Sequence, residues 1–241
     1  DGVADVAMGV HGYTPDRFIL PAIAELPFAG DSAEALSVAL WRTHQRWFAE
    51  KNEYRGVKLL AVMTHGPGGI WSPKAPIRSL ADFKGLKVRG GGGLQNDIVA
   101  KLGAAVVSAP APQTFEILSR GVADATLFTD DAVGAFGLGK LLKYNTRVPG
   151  GLFNSTFFYV VNEAKWNAIS AADRAAIEKV SGEAFAHVGG KAWDDTDREV
   201  GATLTENQVV RVEGAFLADL KKALAWMKAH GVTPRTTIRH N

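Results

Sequence analysis

Residues 82–93 read DFKGLKVRGGGG: a turn, a short apolar strand at residues 86–88, one arginine and four glycines. Arg89 therefore lies at the carboxyl end of this strand, which is where open α/β sheets bind their ligands. The glycine run carries no side chains that would obstruct a ligand approaching Arg89. Since a guanidinium matches a carboxylate through two parallel charge-assisted hydrogen bonds, the stretch predicts an anion-binding site. The alternative is an ordinary surface arginine at a strand end.

The bulk composition excludes several classes of protein. The 241 residues are 46% hydrophobic and 22% charged, which is ordinary for a globular protein of one or two domains. The net charge of +2, without any basic run, gives no argument for nucleic-acid binding. No apolar run approaches the ~18 residues of a transmembrane helix, so no direct membrane insertion is expected. The absence of cysteine excludes disulfides and thiolate chemistry.

Strand-like and helix-like stretches alternate along the chain, which is typical of an α/β fold. The spacing of apolar residues predicts helices over residues 31–50, 94–102, 112–120, 170–202 and 216–227. Strands are predicted over residues 1–10, 57–63, 86–88, 104–108, 123–128, 153–162 and 208–212. Trp47 is expected to be buried on the first helix, and Gly189 with Gly190 to weaken or bend the long one.

Three features suggest other kinds of site, and each lacks its required partners. The loop at residues 65–71 reads HGPGGIW, but the sequence has no G-x-S-x-G nucleophile motif to accompany an oxyanion loop. The six histidines are scattered without metal-ligand spacing. Gly90 and Gly92 fit the first two positions of G-x-G-x-x-G, but Gln95 occupies the third. The sequence thus predicts no catalytic residue, no metal and no cofactor.

Two histidines keep an enzyme interpretation open as the alternative. An α/β hydrolase or isomerase could use His65 or His11 as its base, although no nucleophile motif or acid pair accompanies either residue. The other interpretation of His65 is a loop histidine that is merely hydrogen-bonded to the backbone.

Three motifs together resemble one family over nearly the whole chain. Residues 76–89 read PIRSLADFKGLKVR and resemble the PI-x-S-x-x-D-x-KG-LK-x-R signature of the solute-binding proteins of TRAP transporters, DctP type. The run LGA follows at residues 102–104, at the spacing of that family. Residues 115–124 read FEILSRGVAD and are similar to its Y-x-A-L-x-x-G-V-x-D run.

The resemblance implies a periplasmic solute-binding protein, not an enzyme. Its fold would be α/β, with two lobes that close on an organic acid and a long helix spanning both. Its partners would be that small ligand and the membrane subunits of a TRAP transporter. The implied lobes are residues 1–66 with 155–194, and residues 67–154 with 195–241.

The same resemblance implies that the first lobe lacks its N-terminal βα units, which in the family precede the segment at residues 1–10. We therefore expect an open sheet edge and an exposed apolar patch there. A remnant that binds no ligand, because half of the cleft is unbuilt, is a further alternative.

Site residues also follow from the resemblance. In the family, the arginine that matches Arg89 holds the carboxylate of the ligand, and a second arginine of many sialic-acid-binding members is replaced here by Gly69. Fewer cations argue against a heavily charged or multiply hydroxylated acid. The aromatic and small residues favour a compact monocarboxylate of hydroxylated, aromatic or cyclic type. The remaining pocket residues are expected to be Tyr13, Trp71, Phe128, Asn154 and His65.

Overall fold

The computed structural model describes residues 3–229. The predicted lobes also include residues 1–2 and 230–241, which lie outside the described residues. The strands are β1 (Val6–Val10), β2 (Val57–Thr64), β3 (Gly69–Ser72), β4 (Lys87–Gly90), β5 (Ala105–Ser108), β6 (Ala125–Phe128), β7 (Tyr144–Arg147), β8 (Thr156–Asn162) and β9 (Gln208–Arg211). The α-helices are α1 (Ala33–Thr43), α2 (Gly93–Lys101), α3 (Thr114–Ser119), α4 (Asp130–Ala135), α5 (Glu163–Ala168), α6 (Ala171–Val180), α7 (Glu183–Thr203) and α8 (Gly214–Ala229).

These strands form two sheets, which makes the fold the expected α/β type. The first sheet is antiparallel, with the order β1-β8-β2. The second is mixed, with the order β5-β4-β6-β3-β7-β9, in which β4 runs parallel to β5 and β6 while β3 runs antiparallel to β6 and β7. The exact lobe boundaries remain a prediction.

Two extended segments connect the sheets, and they are hydrogen-bonded to each other. The N–H of Gly68 donates to the carbonyl of Phe153 at 2.9 Å, and the N–H of His65 to that of Ser155 at 3.3 Å. The long helix α7 contacts α1 and β2 beside the first sheet and α4 beside the second. A long helix therefore spans both parts of the fold, as the resemblance implies.

Alternation along the strands sorts side chains onto the two faces of the second sheet. Val88 and Leu127 belong to the large apolar core that also contains residues of α2 and α8. The neighbouring Phe128 belongs to a smaller apolar group with Val133. Arg89, next to Val88, shares the Phe128 face, because its guanidinium carbon lies 5.0 Å from the centre of the Phe128 ring.

The helix predicted over residues 31–50 is shorter than expected. It begins after Ser32, whose hydroxyl accepts a hydrogen bond from the N–H of Ala35 at 3.1 Å, and it becomes a π-helical turn at His44–Phe48. A π turn changes which residues share a helix face. His44 is consequently buried and Trp47 is 57% exposed, so the expectation that Trp47 is buried is wrong.

The helix predicted over residues 170–202 is in fact two helices, α6 and α7. The break lies at Gly182, which has a φ of +64°. Gly189 and Gly190 do not break α7; a Cβ at Gly190 would lie 2.6 Å from the Cα of Glu34. Gly190 is therefore explained by the close approach of α1 to α7, whereas Gly189 lies against the side chain of Met63 in β2.

Further differences concern strands. β3 and β7 were not predicted, since β3 lies in the glycine-rich stretch that reads as a loop. β1 does not form a buried strand: among the described residues it pairs only with β8, and Val6 and Met8 are more than half exposed. This matches the expected open edge and apolar exposure. No helix in the described part of the chain is long and apolar enough to cross a membrane.

Candidate ligand-binding site

A cavity of about 460 Å³ lies between the two sheets, near the carboxyl ends of β4 and β6. Both sheets contribute to it, with Val10 from β1 and Arg89 from β4 among its lining residues. Most of the lining is apolar, and six aromatic side chains surround the space: Tyr13, Phe128, Phe136, Phe153, Phe157 and Trp193.

The strand register explains why Arg89 and Phe128 meet. β4 and β6 run parallel, with Arg89 opposite Thr126, so their carboxyl ends reach the same edge of the sheet. Arg89 is 3% exposed. Its Nε and Nη2 donate to the carbonyl of Ala109 at 2.9 and 2.7 Å, and its Nη1 donates to the carbonyl of Leu127 at 3.3 Å. Three of the five guanidinium N–H groups are thus used by the backbone.

No carboxylate of the described residues forms an ion pair with Arg89. Burial lowers the pKa of Arg89 to about 10, opposed by the nearby hydroxyl of Tyr13. A buried cation without an anionic partner is costly, and an anion in the cavity would offset that cost. The hydrogen bonds to Ala109 and Leu127 leave N–H groups on Nη1 and Nη2, with the hydroxyl of Tyr13 close by, and guanidinium N–H groups in this position suit a carboxylate.

Neighbouring polar groups order the loop in front of Arg89. The side chain of Gln95 accepts a hydrogen bond from the N–H of Gly91 at 2.9 Å and donates to the hydroxyl of Ser155 at 2.8 Å. Tyr13, which is 42% exposed, accepts a hydrogen bond from the N–H of Ala111 at 2.9 Å. The contacts Gln95–Ser155 and Tyr13–Ala111 each join two segments that are distant in the sequence.

Asp131 provides an acidic group in the same lining. Its carboxylate accepts hydrogen bonds from the hydroxyl of Thr129 and, at 3.2 Å, from the indole N–H of Trp193. The N–H of Asp131 donates to Asp197 at 2.8 Å.

His65 lines the cavity, but both of its ring nitrogens are occupied. Nδ1–H donates to the carbonyl of Gly66 at 2.6 Å, and Nε2 accepts from the N–H of Ser155 at 3.0 Å. Burial lowers the pKa of His65. The neutral ring of His65 thus links its own segment to the segment that contains Ser155. This supports the interpretation of His65 as a histidine that is hydrogen-bonded to the backbone.

His11 is a second unsuitable base. It is 2% exposed and is not part of the cavity lining. Tyr54 donates to its Nε2 at 2.6 Å, while its Nδ1–H donates to Thr156, which in turn donates to Glu25 at 2.6 Å. Burial lowers the pKa of His11 to about 3. The geometry therefore does not support a hydrolase or isomerase that uses His65 or His11 as base, and the described residues contain no cluster suited to a metal ion.

Two of the predicted site residues lie outside the lining, whereas Arg89, Tyr13, Phe128 and His65 share it. Trp71 is 1% exposed and packs in the apolar group around Phe128, because it pairs with Thr126, further from the edge of the sheet than Phe128. Asn154 is fully buried between Phe153 and Ser155, both of which face the cavity. Alternation in an extended segment directs Asn154 away from the cavity.

Sequence reasoning missed several lining residues, among them Gln95, Asp131, Phe157 and Trp193. Asp131 comes three residues after the carboxyl end of β6, so the rule that places ligands at that edge could have found it. Trp193 had no comparable signal, since its position depends on how α7 packs across both sheets.

The family profile described as "Bacterial extracellular solute-binding protein, family 7", DctP, matches residues 2–229. The chain belongs to this family. Membership confirms the resemblance, the α/β solute-binding fold and the periplasmic class of protein. DctP proteins are a family of solute-binding proteins rather than of enzymes.

Similar proteins extend this comparison. The "Outer membrane transporter protein TsaT" of Comamonas testosteroni is 41% identical over 204 residues, which are 83% of this chain and 59% of that protein. A TRAP periplasmic solute-binding protein of Bordetella bronchiseptica, solved with bound (R)- and (S)-mandelate, has a TM-score of 0.90 at 34% identity, over 95% of this chain and 75% of that one.

A second similar structure is that of a marine-metagenome TRAP solute-binding protein described as specific for aromatic acid ligands, in complex with metahydroxyphenylacetate. It has a TM-score of 0.90 at 32% identity, over 95% of this chain and 73% of that one. The present chain spans about three-fifths of the length of the curated relative from Comamonas testosteroni.

Proposed function

We propose that this protein binds an aromatic monocarboxylate in the cavity around Arg89 and delivers it to a TRAP-type transporter. The observation that carries the proposal is a buried arginine, without an ion-pair partner among the described residues, in a cavity lined largely by aromatic side chains. Arg89 would neutralise the carboxylate through the N–H groups that Ala109 and Leu127 do not use, and Phe128 would pack against the guanidinium.

The aromatic lining supports the rest of the ligand assignment. Phe157 and Trp193, whose ring centroids are 4.6 Å apart, form part of the cavity wall. An aromatic ligand could pack against these rings, because aromatic rings prefer edge-to-face or offset contacts with one another. Two structural relatives bind mandelate and metahydroxyphenylacetate, both of which combine one ring with one carboxylate. The compact aromatic, hydroxylated acids within the predicted class therefore fit best.

In this proposal the protein is a carrier without catalytic activity. The ring nitrogens of His65 and His11 are engaged, so neither is available as a base. The partners would be the membrane subunits of the transporter, which would accept the ligand from the closed binding protein.

Binding would be coupled to closure of two lobes, divided as residues 1–66 with 155–194 and residues 67–154 with 195–241. A ligand held by Arg89 on one side and by residues such as Val10 on the other contacts both sheets at once. Contacts made only in the closed arrangement would favour that state, which is a hinge mechanism.

A calorimetric panel on the purified protein tests the proposal. Benzoate, mandelate and 3-hydroxybenzoate should bind, whereas benzamide, which has the ring without the charge, should bind far more weakly. L-Malate, a charged acid without a ring, tests whether binding requires the aromatic ring. Equal affinity for benzoate and benzamide would contradict the proposed role of the carboxylate, and conversion of a ligand to product would contradict the carrier role.

A further inference from the structure

Two adjacent aspartates at the start of α4 face different cavities. Asp131 lines the aromatic cavity together with Arg89. Asp130 and Asp197 instead line a second cavity of about 750 Å³ on the other side, where Asp130 is ion-paired with Arg147. Among the described lining residues of the aromatic cavity, Asp131 is therefore the one acidic side chain.

The Asp131 carboxylate is fixed by groups from separate elements. Thr129 donates to Oδ1 from the end of β6, and the indole of Trp193 donates to Oδ2 from α7 at 3.2 Å. The N–H of Asp131 is held by the Asp197 carboxyl at 2.8 Å. A carboxylate held from two sides cannot easily turn away when a second negative group enters the cavity.

Asp131 also forms no direct ion pair with a lysine or an arginine in the described part of the chain. The partners of Asp131 are a hydroxyl, an indole and a neighbouring carboxyl. Burial, and next the charge of Asp131, raise the pKa of Asp197 to about 8. The two carboxyls are close enough for their charges to interact, and burial favours the protonated form of Asp197.

We propose that Asp131 is a specificity-determining residue, which selects ligands with one carboxylate and rejects those that carry a second anionic group. The inference rests on the proposed function. Arg89 can neutralise one carboxylate, and the described residues of the lining include no other arginine or lysine. A second carboxylate would meet the fixed charge of Asp131 in a poorly solvated space, where like charges repel strongly. A hydroxyl or amide in its place can donate a hydrogen bond to Asp131.

Two ligands of the same skeleton separate charge from size. Benzene-1,3-dicarboxylate carries a second carboxylate where 3-carbamoylbenzoate carries an uncharged amide. In calorimetry near neutral pH, the wild-type protein should bind the amide roughly tenfold or more tightly than the dicarboxylate. Asp131→Asn should reduce this preference to about threefold or less. The matched control Asp130→Asn, one residue away and on the other cavity, should keep the wild-type preference.

This experiment separates a failure of the Asp131 inference from a failure of the proposed function. An unchanged preference in Asp131→Asn, with benzoate still bound, would overturn the inference and leave the proposed function intact. Equal binding of both ligands by the wild-type protein would do the same. If the wild-type protein binds no aromatic carboxylate, both fail together. Asp131→Ser also removes the charge, and it decides the question if the asparagine variant does not fold.

Discussion

At the scale of single residues, burial gives the site its chemistry. Arg89 is almost completely removed from solvent and is held by two backbone carbonyls rather than by a carboxylate. Its planar fork is thereby oriented before any ligand arrives, which reduces the entropy lost on binding. His11 and His65 are buried too, but hydrogen bonds saturate their rings and make them structural.

The first prediction concerns His11, whose pKa in the folded protein, about 3, lies below its ordinary value of 6.5. The unfolded chain therefore binds the extra proton first, so the stability due to a neutral His11 is present above about pH 6.5 and is lost as the pH falls, by up to about 1.4 kcal/mol per pH unit. His11→Gln should show a smaller loss of stability than the wild-type protein between about pH 7 and 5 in denaturant unfolding.

The control for that measurement is Gln45→Ala, since Gln45 is exposed and carries no titratable group. It should follow the wild-type profile. If His11→Gln also follows the wild-type profile, His11 is not the neutral, buried group described above.

At the scale of elements, the sequence predicted well where local pattern and final structure agree. The strand ending in Arg89 and the helix containing Leu94 and Ile98 were found, because their apolar residues face one core. β3 was missed, because its glycine-rich sequence has no strand character of its own and long-range pairing with β6 and β7 stabilises it. Trp71 was misplaced for the same reason: its distance from the sheet edge depends on that register.

The second prediction concerns the contact of α1 with α7. A Cβ at Gly190 would lie 2.6 Å from the Cα of Glu34 and 2.7 Å from the carbonyl oxygen of Ala33, both backbone atoms. Gly190→Ala should therefore destabilise the protein by about 1–3 kcal/mol in denaturant unfolding.

Gly189→Ala is the matched control on the same helix. Its Cβ would meet the flexible end of Met63 at 2.7 Å, and alanine gains up to about 1 kcal/mol of helix propensity, so the net change should be small. If both variants are equally stable, α1 and α7 do not approach as closely as described.

The third prediction concerns the junction of α4 with α7. Because the pKa of Asp197 is raised to about 8, the folded state binds a proton that the unfolded chain has released. Stability should therefore fall as the pH rises from about 6 to about 9, through the folded pKa. Asp197→Asn, which keeps the shape without the titration, should lose less stability over this interval.

Thermal unfolding at several pH values provides the measurement, with Asp195→Asn as control. Asp195 lies on the same helix, but hydrogen bonds from Lys191 and Arg198 lower its pKa, so it does not titrate in this interval. An Asp197→Asn profile identical to that of the wild-type protein would show that Asp197 is ionised throughout.

At the scale of the whole molecule, two sheets, two connecting segments and one long helix place a cation and several aromatic rings around one cavity. The motif around Arg89 was enough to predict the family and the cation. The motif could not predict the other lining residues of the cavity. Trp193, Phe157 and Asp131 reach the cavity only because α7, β8 and α4 pack around it.

The central claim is that Arg89 binds the ligand's carboxylate, and calorimetric titration of benzoate or mandelate into Arg89→Ala tests it most directly. Loss of the buried charged partner should weaken binding by roughly 2–5 kcal/mol, and Arg89→Lys should also bind more weakly, because an ammonium lacks the planar fork. Arg120→Ala, whose side chain is 73% exposed, is the control and should bind like the wild-type protein. A folded Arg89→Ala variant with wild-type affinity would contradict the account.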